Sequence, residues 1–469
     1  MTKMKKMISM IALSATALLL TGCSSEIPEG DASHFNSLPS FDELIVTKTY
    51  LPLKHPCMLH AADDINRVKG NLTASPWQEA WQHLQQSAYA QSSYKESTAA
   101  LLDGYLKRMD ANNWSKTYPD YNNYTALMRD AAATYQLALR YQLSGDAQYA
   151  DAAVRVFNAW KTNCKGFLKD GRYTDSIPDP NEYLMEIQAH QLANAAELLR
   201  DYSGWQQKDF KEFQTWMKHT FYSVAIRYLK NHQGGQGTRH AWLNWDLASM
   251  TSVLSIGILC DDDYAINFAI NYFKNELKLF NENGNILNAI PFLHKDPDSG
   301  ETLGQCQESG RDQGHATLCV SLLGAFCQMA CNVGEDLFAY DNYRALAMAE
   351  YVGKYNLYTD EKFPLMSNTQ NTSDDTYFQY RSAEMPYTVY SNPSWTNPAI
   401  SADGRGTKRP AWELFYGYAK AHDVSAVYCQ KWSEQQRRFN GYGDGGAGDY
   451  GPNSGGFDQL GYGTLMYAR

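Results

Sequence analysis

Apolar residues recur at three- and four-residue intervals through most of the chain, and this spacing constrains the fold more than any other feature. One such run steps by 3, 4, 4, 3 and 4 residues through Phe210, Phe213, Met217, Phe221, Val224 and Tyr228. An α-helix places these positions on one face, because it completes a turn every 3.6 residues. Alternating apolar and polar runs, which would indicate β-strands, are scarce. The sequence therefore predicts an all-α protein.

Capping residues indicate where several of these helices begin and end. In Ser75-Pro76-Trp77-Gln78, Ser is the expected N-cap and Pro the first helical residue. The run from Tyr124 to Leu143 stops at Ser144-Gly145, and Asp146 is expected to cap the helix that follows. Further helices are predicted near 181–200, 244–260, 263–281, 311–332, 338–356 and 409–422.

The succession of helices predicts an (α/α) toroid, or incomplete barrel, built from helical hairpins. Helix pairs recur every 40 to 60 residues or so, without the strict period of about 34 residues that marks tetratricopeptide repeats. Longer irregular connections are expected to form a cleft at one end of the toroid, since long loops often carry function. These connections are 164–180, 231–243, 284–308 and 358–408.

The N-terminus has the pattern of an export signal. A basic start with Lys3, Lys5 and Lys6 precedes an apolar stretch too short to span a membrane as a mature helix. The following Leu20-Thr21-Gly22-Cys23 resembles a bacterial lipoprotein cleavage box, in which the cysteine becomes the lipidated N-terminus. An ordinary secretory signal with a chance cysteine is the alternative. We expect a protein lipid-anchored in the cell envelope (periplasm or outer membrane) of a Gram-negative bacterium.

This pattern divides the chain into four parts. Residues 1–22 are expected to be the signal peptide, 23–50 a polar tether, and 51–430 the toroid. The last part, 431–469, is rich in Gly and Tyr. It is either a disordered end or an ordered cap on the toroid, and the aromatic residues near the terminus favour the cap.

Composition limits the partners that the protein can bind. The net charge is −10, which disfavours nucleic acid and requires a local cationic cleft for any acidic substrate. Aromatic residues make up 13% of the chain, with 33 Tyr and 11 Trp. Aromatic rings pack in cores and also stack on sugar rings, so composition alone leaves both uses open. We expect a monomer that meets a membrane only through its N-terminal lipid.

The cysteines give no sign of a metal centre. Of the nine, eight follow Cys23, and they lack paired ligand spacing. Cys260, Cys319, Cys327 and Cys331 lie in apolar runs and are expected to pack as small hydrophobic residues. One or two disulfides are possible in an oxidising compartment. Neither a metal nor a cofactor is expected.

The richest chemistry lies in Glu308-Ser309-Gly310-Arg311-Asp312-Gln313-Gly314-His315-Ala316. A helix that began near Ser309 would place Glu308, Arg311, His315 and Cys319 on one side. A guanidinium beside an imidazole near a helix N-terminus suits an acidic ligand next to a proton-transfer group. The alternative is a surface helix start with solvated charges.

Two other segments carry comparable residues. Residues 234–245 pass from a glycine-rich stretch into Arg239, His240, Trp242, Asn244 and Trp245. Asn244 is either a functional amide or simply the N-cap of the next helix. Residues 377–387 bring together Tyr380, Arg381 and Tyr387. We expect these two segments and the 308–316 segment to meet in one cleft.

These motifs resemble the alginate lyase superfamily, which consists of all-helical polysaccharide lyases that cleave uronate polymers. The resemblance rests on three parts of the chain and covers roughly residues 55–425. The parts are the run from Met128-Arg129-Asp130 to Ala150, the helix start Asn244-Trp245, and the segment from Glu308 to His315. The resemblance implies β-elimination on alginate (polymannuronate) or glucuronan.

In that reaction a base removes the C5 proton, alpha to a carboxylate, while the C4 oxygen leaves. The carboxylate must be neutralised as negative charge develops. The resemblance implies that Asn244 neutralises the carboxylate and that Arg311 lies beside the proton-transfer group. The expected catalytic set is Asn244, Arg311, His315 and Tyr380. The expected substrate-binding set is Arg239, His240, Trp242, Trp245, Glu308, Gln313 and Tyr387.

The chain departs from the family pattern at two positions. Trp245 stands where relatives often have a histidine, which leaves His315 and His240 as candidates for its role. Leu318 stands where some relatives have a tyrosine; Tyr380 is our first candidate and Tyr387 the second. Tyr118 and Tyr183 are weaker candidates. Glu308 and Asp312 are interpreted as groups that orient Arg311 or His315, or as helix caps.

Two other functions are compatible with the sequence. A glycoside hydrolase on the same toroid would need two carboxylates flanking the bond, and Glu308 and Asp312 lie only one turn apart. A non-catalytic, glycan-binding lipoprotein would account for the aromatic residues and the lipid box. The arrangement of Arg311 and His315 argues against the second function.

Overall fold

The computed structural model describes residues 46–107, 123–167, 186–231, 242–277, 284–357, 400–444 and 457–469. All statements below concern these residues. Most of them are helical, and strands form only two small sheets in this part of the chain.

The α-helices are numbered here in chain order. They are Ala62–Asn71 (α1), Trp77–Gln86 (α2), Tyr124–Ser144 (α3), Ala147–Asn163 (α4), Glu186–Glu197 (α5), Gln207–Met217 (α6), Ser223–Asn231 (α7), Leu243–Leu259 (α8), Asp263–Phe273 (α9), Ile286–Ala289 (α10), Gln313–Asn332 (α11), Tyr340–Asn356 (α12), Trp412–Ala421 (α13), Val427–Asn440 (α14) and Gly463–Tyr467 (α15).

Helices α3, α5, α8 and α11 pack side by side in that order and form an inner row. Nearly all of their residues are buried, as expected of helices covered on every side. An outer helix packs on each of three of them: α4 on α3, α9 on α8, and α12 on α11. This double row of helical hairpins confirms the predicted all-α fold and is the arrangement of an (α/α) toroid.

The irregular elements are short. Tyr105–Leu106 (β1) pairs in parallel with Gly166–Phe167 (β2), and Phe292–Lys295 (β3) forms a hairpin with Thr302–Gln305 (β4). The second strand of that hairpin, β4, packs on α12 and leads directly towards the start of α11. A π-helical turn, Lys218–Tyr222, joins α6 to α7, so that the predicted apolar run from Phe210 to Tyr228 is continuous.

The described end of the chain packs on its beginning. Helix α15 lies against α1, α2 and α13. Arg67 of α1 donates hydrogen bonds to the carbonyl oxygens of Met466 and Ala468, at 2.7 and 2.9 Å. These contacts connect the C-terminal segment to the first helices of the body.

Three local predictions require correction. The N-cap of α2 is Pro76 rather than Ser75, and the helix begins at Trp77. The helix predicted over 263–281 ends at Phe273, because Asn275 takes a left-handed conformation with φ of 60°. All eight cysteines after Cys23 are free and seven are buried, so none forms a disulfide.

One described helix, Gln313–Asn332, is long and apolar enough to cross a membrane. Its residues are mostly buried inside the protein, which identifies α11 as a core helix of the toroid. The signal peptide, Cys23 and most of the tether lie outside the described residues.

Candidate functional site

The candidate site lies where the N-termini of two inner helices meet. Helices α8 and α11 are neighbours, and a buried 3-10 turn, Gln307–Gly310, contacts both of them. The predicted helix start near Ser309 is wrong by four residues: α11 begins at Gln313, after an N-cap at Asp312. The functional residues before it therefore sit on a tight turn rather than on the helix.

This turn caps helix α8. The first backbone N–H groups of a helix have no partner within the helix. Here Leu243 N–H donates to Gln307 Oε1 at 3.0 Å, and Asn244 N–H donates to Glu308 Oε1 at 2.7 Å. A carboxylate is also favoured at a helix N-terminus by the helix dipole. The N-cap of α8 is Trp242, so the alternative interpretation of Asn244 as an N-cap is wrong.

Glu308 joins the two groups expected to bind a sugar carboxylate. Its Oε1 also accepts a hydrogen bond from Asn244 Nδ2 at 2.5 Å, and its Oε2 forms an ion pair with Arg311 Nη1 at 3.1 Å. The Glu308 side chain has no exposed surface, and the side chain of Asn244 is 1% exposed. Glu308 is thus the buried support of Asn244 and Arg311. Its predicted role in contacting substrate is not what this geometry gives.

Arg311 extends from that support to the surface. Its side chain is 21% exposed, and its guanidinium carbon lies 5.2 Å from the centre of the Trp242 ring. A guanidinium over an aromatic face is attracted by the negative charge of that face. Trp242 and Glu308 together hold the orientation of this cation. Surfaces of Arg311 that neither neighbour covers remain accessible to an anionic ligand.

His315 and Asp312 form a dyad at the same helix start. Asp312 caps α11 by accepting from His315 N–H at 2.8 Å, and its Oδ2 lies 2.6 Å from His315 Nδ1. The same Oδ2 lies 3.6 Å from Arg311 Nε. Burial raises the pKa of Asp312, but the hydrogen bonds from His315 and the nearby charges of His315 and Arg311 outweigh it, so that the pKa is below its ordinary value.

The dyad fixes which imidazole nitrogen is available for chemistry. With Nδ1 held by Asp312, the other nitrogen, Nε2, is left to act towards a ligand. The His315 side chain is 36% exposed, the largest exposure among these site residues. The interpretation of 308–316 as a set of solvated surface charges is therefore wrong, since buried groups hold Arg311 and His315 in fixed positions.

Other predicted residues have different positions. The Gln313 side chain is fully buried; it donates to the carbonyl oxygens of Ser309 and Ser401 and accepts from Asn356 Nδ2, which gives it a structural role instead of contact with substrate. Trp245 packs partly buried against Tyr228. The remaining candidates lie outside the described residues: Arg239, His240, Tyr380, Tyr387, Tyr118 and Tyr183.

The sequence gave no indication of Gln307. It caps α8, whose start lies 64 residues earlier in the chain. No local pattern relates positions that far apart. Cys319 does lie beside Glu308 as the spacing predicted, with its Sγ 3.5 Å from Oε1.

The described part of the site therefore combines a partly exposed guanidinium, an amide and a carboxylate–imidazole dyad at the ends of two inner helices. These groups can bind an anion and move a proton beside it. Together with the helical toroid, they define the class of polysaccharide lyases.

Comparisons with known proteins agree with this class. The sequence profile of the family described as alginate lyase matches residues 72–363, which is more than half of the chain. The chain belongs to the alginate lyase family. No curated protein matches the chain significantly.

Solved structures share the fold at low sequence identity. An alginate lyase from Bacteroides ovatus is 12% identical, with a TM-score of 0.50, over 88% of this chain and 100% of the other. Alginate lyase A1-III from Sphingomonas species A1 is 14% identical, with a TM-score of 0.40, over 62% of this chain and 76% of the other. Heparinase III (BT4657 gene product) is 13% identical, with a TM-score of 0.32, over 66% and 43%.

Proposed function

We propose that the protein cleaves a uronic-acid polymer, alginate (polymannuronate) or glucuronan, by β-elimination. The observation that carries the proposal is the meeting of Arg311, Asn244 and the His315–Asp312 dyad at the starts of α8 and α11. A cation, an amide and a proton-transfer group beside one another meet the main demands of elimination from a sugar acid.

Arg311 and Asn244 bind the substrate carboxylate in this mechanism. Removing the C5 proton places negative charge on the carboxylate and the adjacent carbon. Arg311 stabilises this charge with its accessible N–H groups, and Glu308 holds it in place by the 3.1 Å ion pair. One N–H of Asn244 Nδ2 is used by Glu308, which leaves the second for the substrate.

His315 transfers the proton. The hydrogen bond from Nδ1 to Asp312 presents Nε2 as a base, and a proton taken there makes an imidazolium that the Asp312 carboxylate stabilises. As C5 loses its proton, the C4–O bond breaks and a C4–C5 double bond forms. Tyr380 is proposed to protonate the leaving C4 oxygen, as the family resemblance implies.

The carboxylates are poorly placed for glycoside hydrolysis. That reaction uses two carboxyl groups on either side of the scissile bond. Glu308 has no exposed surface and is engaged by Asn244 and Arg311, and Asp312 is engaged by His315. Neither group is free to flank a sugar.

The experiment is to incubate the purified protein separately with polymannuronate, polyguluronate and glucuronan. Elimination produces a double bond conjugated to the carboxylate, so ultraviolet absorbance should rise with one of these polymers. A rise in reducing ends without ultraviolet absorbance would indicate hydrolysis. Binding without any product, unchanged in Asn244→Ala and Arg311→Ala, would support the glycan-binding alternative.

We also propose that Cys23 carries a lipid that anchors the protein in the cell envelope. The proposal rests on Leu20-Thr21-Gly22-Cys23 after a basic and apolar start. In bacteria fed a labelled fatty acid, the wild type should incorporate the label and remain with membranes. Equal labelling of Cys23→Ser would refute the assignment.

A further inference from the structure

A second cluster lies at the opposite end of the inner helices. It combines His55 and Cys57 of the N-terminal segment with Glu197, the last residue of α5. Asp261, which follows the end of α8, contacts the same histidine. Asn244 is at the other end of α8, about 24 Å away along a helix that rises 1.5 Å per residue. The cluster is therefore separate from the candidate active site.

Three potential metal ligands converge there. His55 Nδ1 lies 2.5 Å from Glu197 Oε1, and Cys57 Sγ lies 3.7 Å from that nitrogen and 3.9 Å from that oxygen. Imidazole, thiolate and carboxylate are the usual zinc ligands, at about 2.0–2.3 Å from the ion. Tetrahedral ligands at that radius are separated by roughly 3.3–3.6 Å. Only the nitrogen and oxygen would have to move apart, by less than about 1 Å.

The neighbours of these ligands fit a metal as well. His55 Nε2 lies 2.9 Å from Asp261 Oδ1, so that this carboxylate fixes the ring with Nδ1 directed at the cluster. A carboxylate behind a ligating histidine is the usual outer partner of zinc. Arg200 contacts Glu197 Oε2 at 3.0 Å and Asp261 Oδ2 at 3.4 Å. A dication plus Arg200 would balance the thiolate and the two carboxylates.

We propose that His55, Cys57 and Glu197 bind a divalent zinc-like cation, with water at the fourth position. Cys57 is buried, while the His55 side chain is 14% exposed, so solvent reaches one side of the cluster. Binding releases the thiol proton of Cys57 to solvent. The ion fastens the segment that enters the toroid to the ends of α5 and α8.

The site can be tested by metal analysis and by cobalt substitution. Protein purified under reducing conditions should contain close to one zinc per chain. After chelation, Co²⁺ should bind and give a thiolate-to-cobalt absorption band. Cys57→Ser should lose this band, and His55→Gln should weaken binding at least tenfold. Cys331→Ser, which changes a cysteine outside the cluster, should behave as the wild type.

Thermal unfolding gives a second measure. Zinc at a hundredfold excess over its Kd should raise the Tm of the apoprotein by a few degrees, and Cys57→Ser should remove that shift. The competing interpretation is that a proton on His55 alone joins Glu197 to Asp261. Metal-free protein whose Tm is unchanged by zinc, with no cobalt band, would establish that interpretation and overturn the proposal. Lyase activity is not the readout, so the outcome is independent of the proposed reaction.

Discussion

At the scale of single residues, Glu308 organises the site although it is not exposed. One of its oxygens accepts from the backbone and side chain of Asn244, and the other pairs with Arg311. A buried carboxylate is costly unless it is paired and hydrogen-bonded, and here both conditions hold. Two groups from chain-distant segments are therefore fixed relative to each other by a third.

Replacing Asn244 by alanine should reduce turnover at least about a hundredfold, because one group that stabilises developing charge contributes that much. The measurement is the rate of ultraviolet absorbance increase on the preferred polymer. Asn66→Ala, on the exposed side of α1, is the matched control and should retain full activity. Turnover near the wild-type value in Asn244→Ala would remove this amide from the mechanism.

Asp312→Asn separates the capping role of this residue from its charge. Asparagine is an equally good N-cap, so the Tm should change little. The loss of the carboxylate removes the acceptor that stabilises a His315 imidazolium, and kcat should fall about a hundredfold or more. KM should change less than kcat. Equal losses of stability and activity would mean that Asp312 serves only the helix.

Glu308→Gln tests whether Asn244 and Arg311 act through a shared support. Leaving Arg311 without its buried partner should destabilise the fold by about 3 kcal/mol and lower kcat. In a double variant with Asn244→Ala, the two losses in kcat should not add, because both act on one contact. Additive losses would show that Glu308 and Asn244 contribute independently.

At the scale of elements, the C-terminal segment is held by a buried carboxyl group. Asp444 accepts from the backbone N–H and the hydroxyl of Thr464, the residue that starts the α15 turn. Burial raises the pKa of Asp444 from 3.8 to about 7, and the nearby carboxylate of Glu413 adds to this rise. The protonated form therefore favours the folded state.

This shift predicts a pH-dependent stability. Since the folded pKa exceeds the unfolded one, the unfolded state releases its proton first, and the contribution of Asp444 falls as pH rises from about 4 to about 7. The Tm of Asp444→Asn relative to wild type should therefore increase between pH 5 and pH 8. The exposed control Asp423→Asn should give a constant difference. A constant difference for Asp444→Asn as well would show that another group titrates.

At the scale of the whole molecule, one buried ion pair connects distant parts of the fold. Arg409, just before α13, pairs with Asp458 of the C-terminal segment at 2.6 Å and donates to Thr317 of α11 at 3.0 Å. Both charged side chains are about 6% exposed. The pair links the helix that begins at the candidate site to the end of the chain.

Arg409→Met should cost about 3–5 kcal/mol of unfolding free energy, because it leaves Asp458 buried and uncompensated. The double variant Arg409→Met with Asp458→Leu should be more stable than the single one, since no charge then remains unpaired. Urea unfolding measures both, with the exposed Arg155→Met as control. A double variant less stable than Arg409→Met would contradict this account.

The sequence determined the helices and the fold class. Helical periodicity and capping are local properties, so the predicted bounds of α3, α4, α8 and α11 lie within a few residues of those observed. Predictions failed where a local alternative competed, as at Ser75 and at the start of α11, where a 3-10 turn replaces the first helical turn. The family resemblance was carried by these same local motifs.

Only the tertiary structure decided which groups share the site. Gln307 and Glu308 cap a helix that begins 64 residues earlier, and Glu197 meets His55 across 142 residues. Such contacts depend on how the inner helices pack, and no spacing in the sequence encodes that packing. Burial likewise changed the roles of Glu308 and Gln313 from ligand contact to support, because a side chain's exposure is set by its neighbours in space.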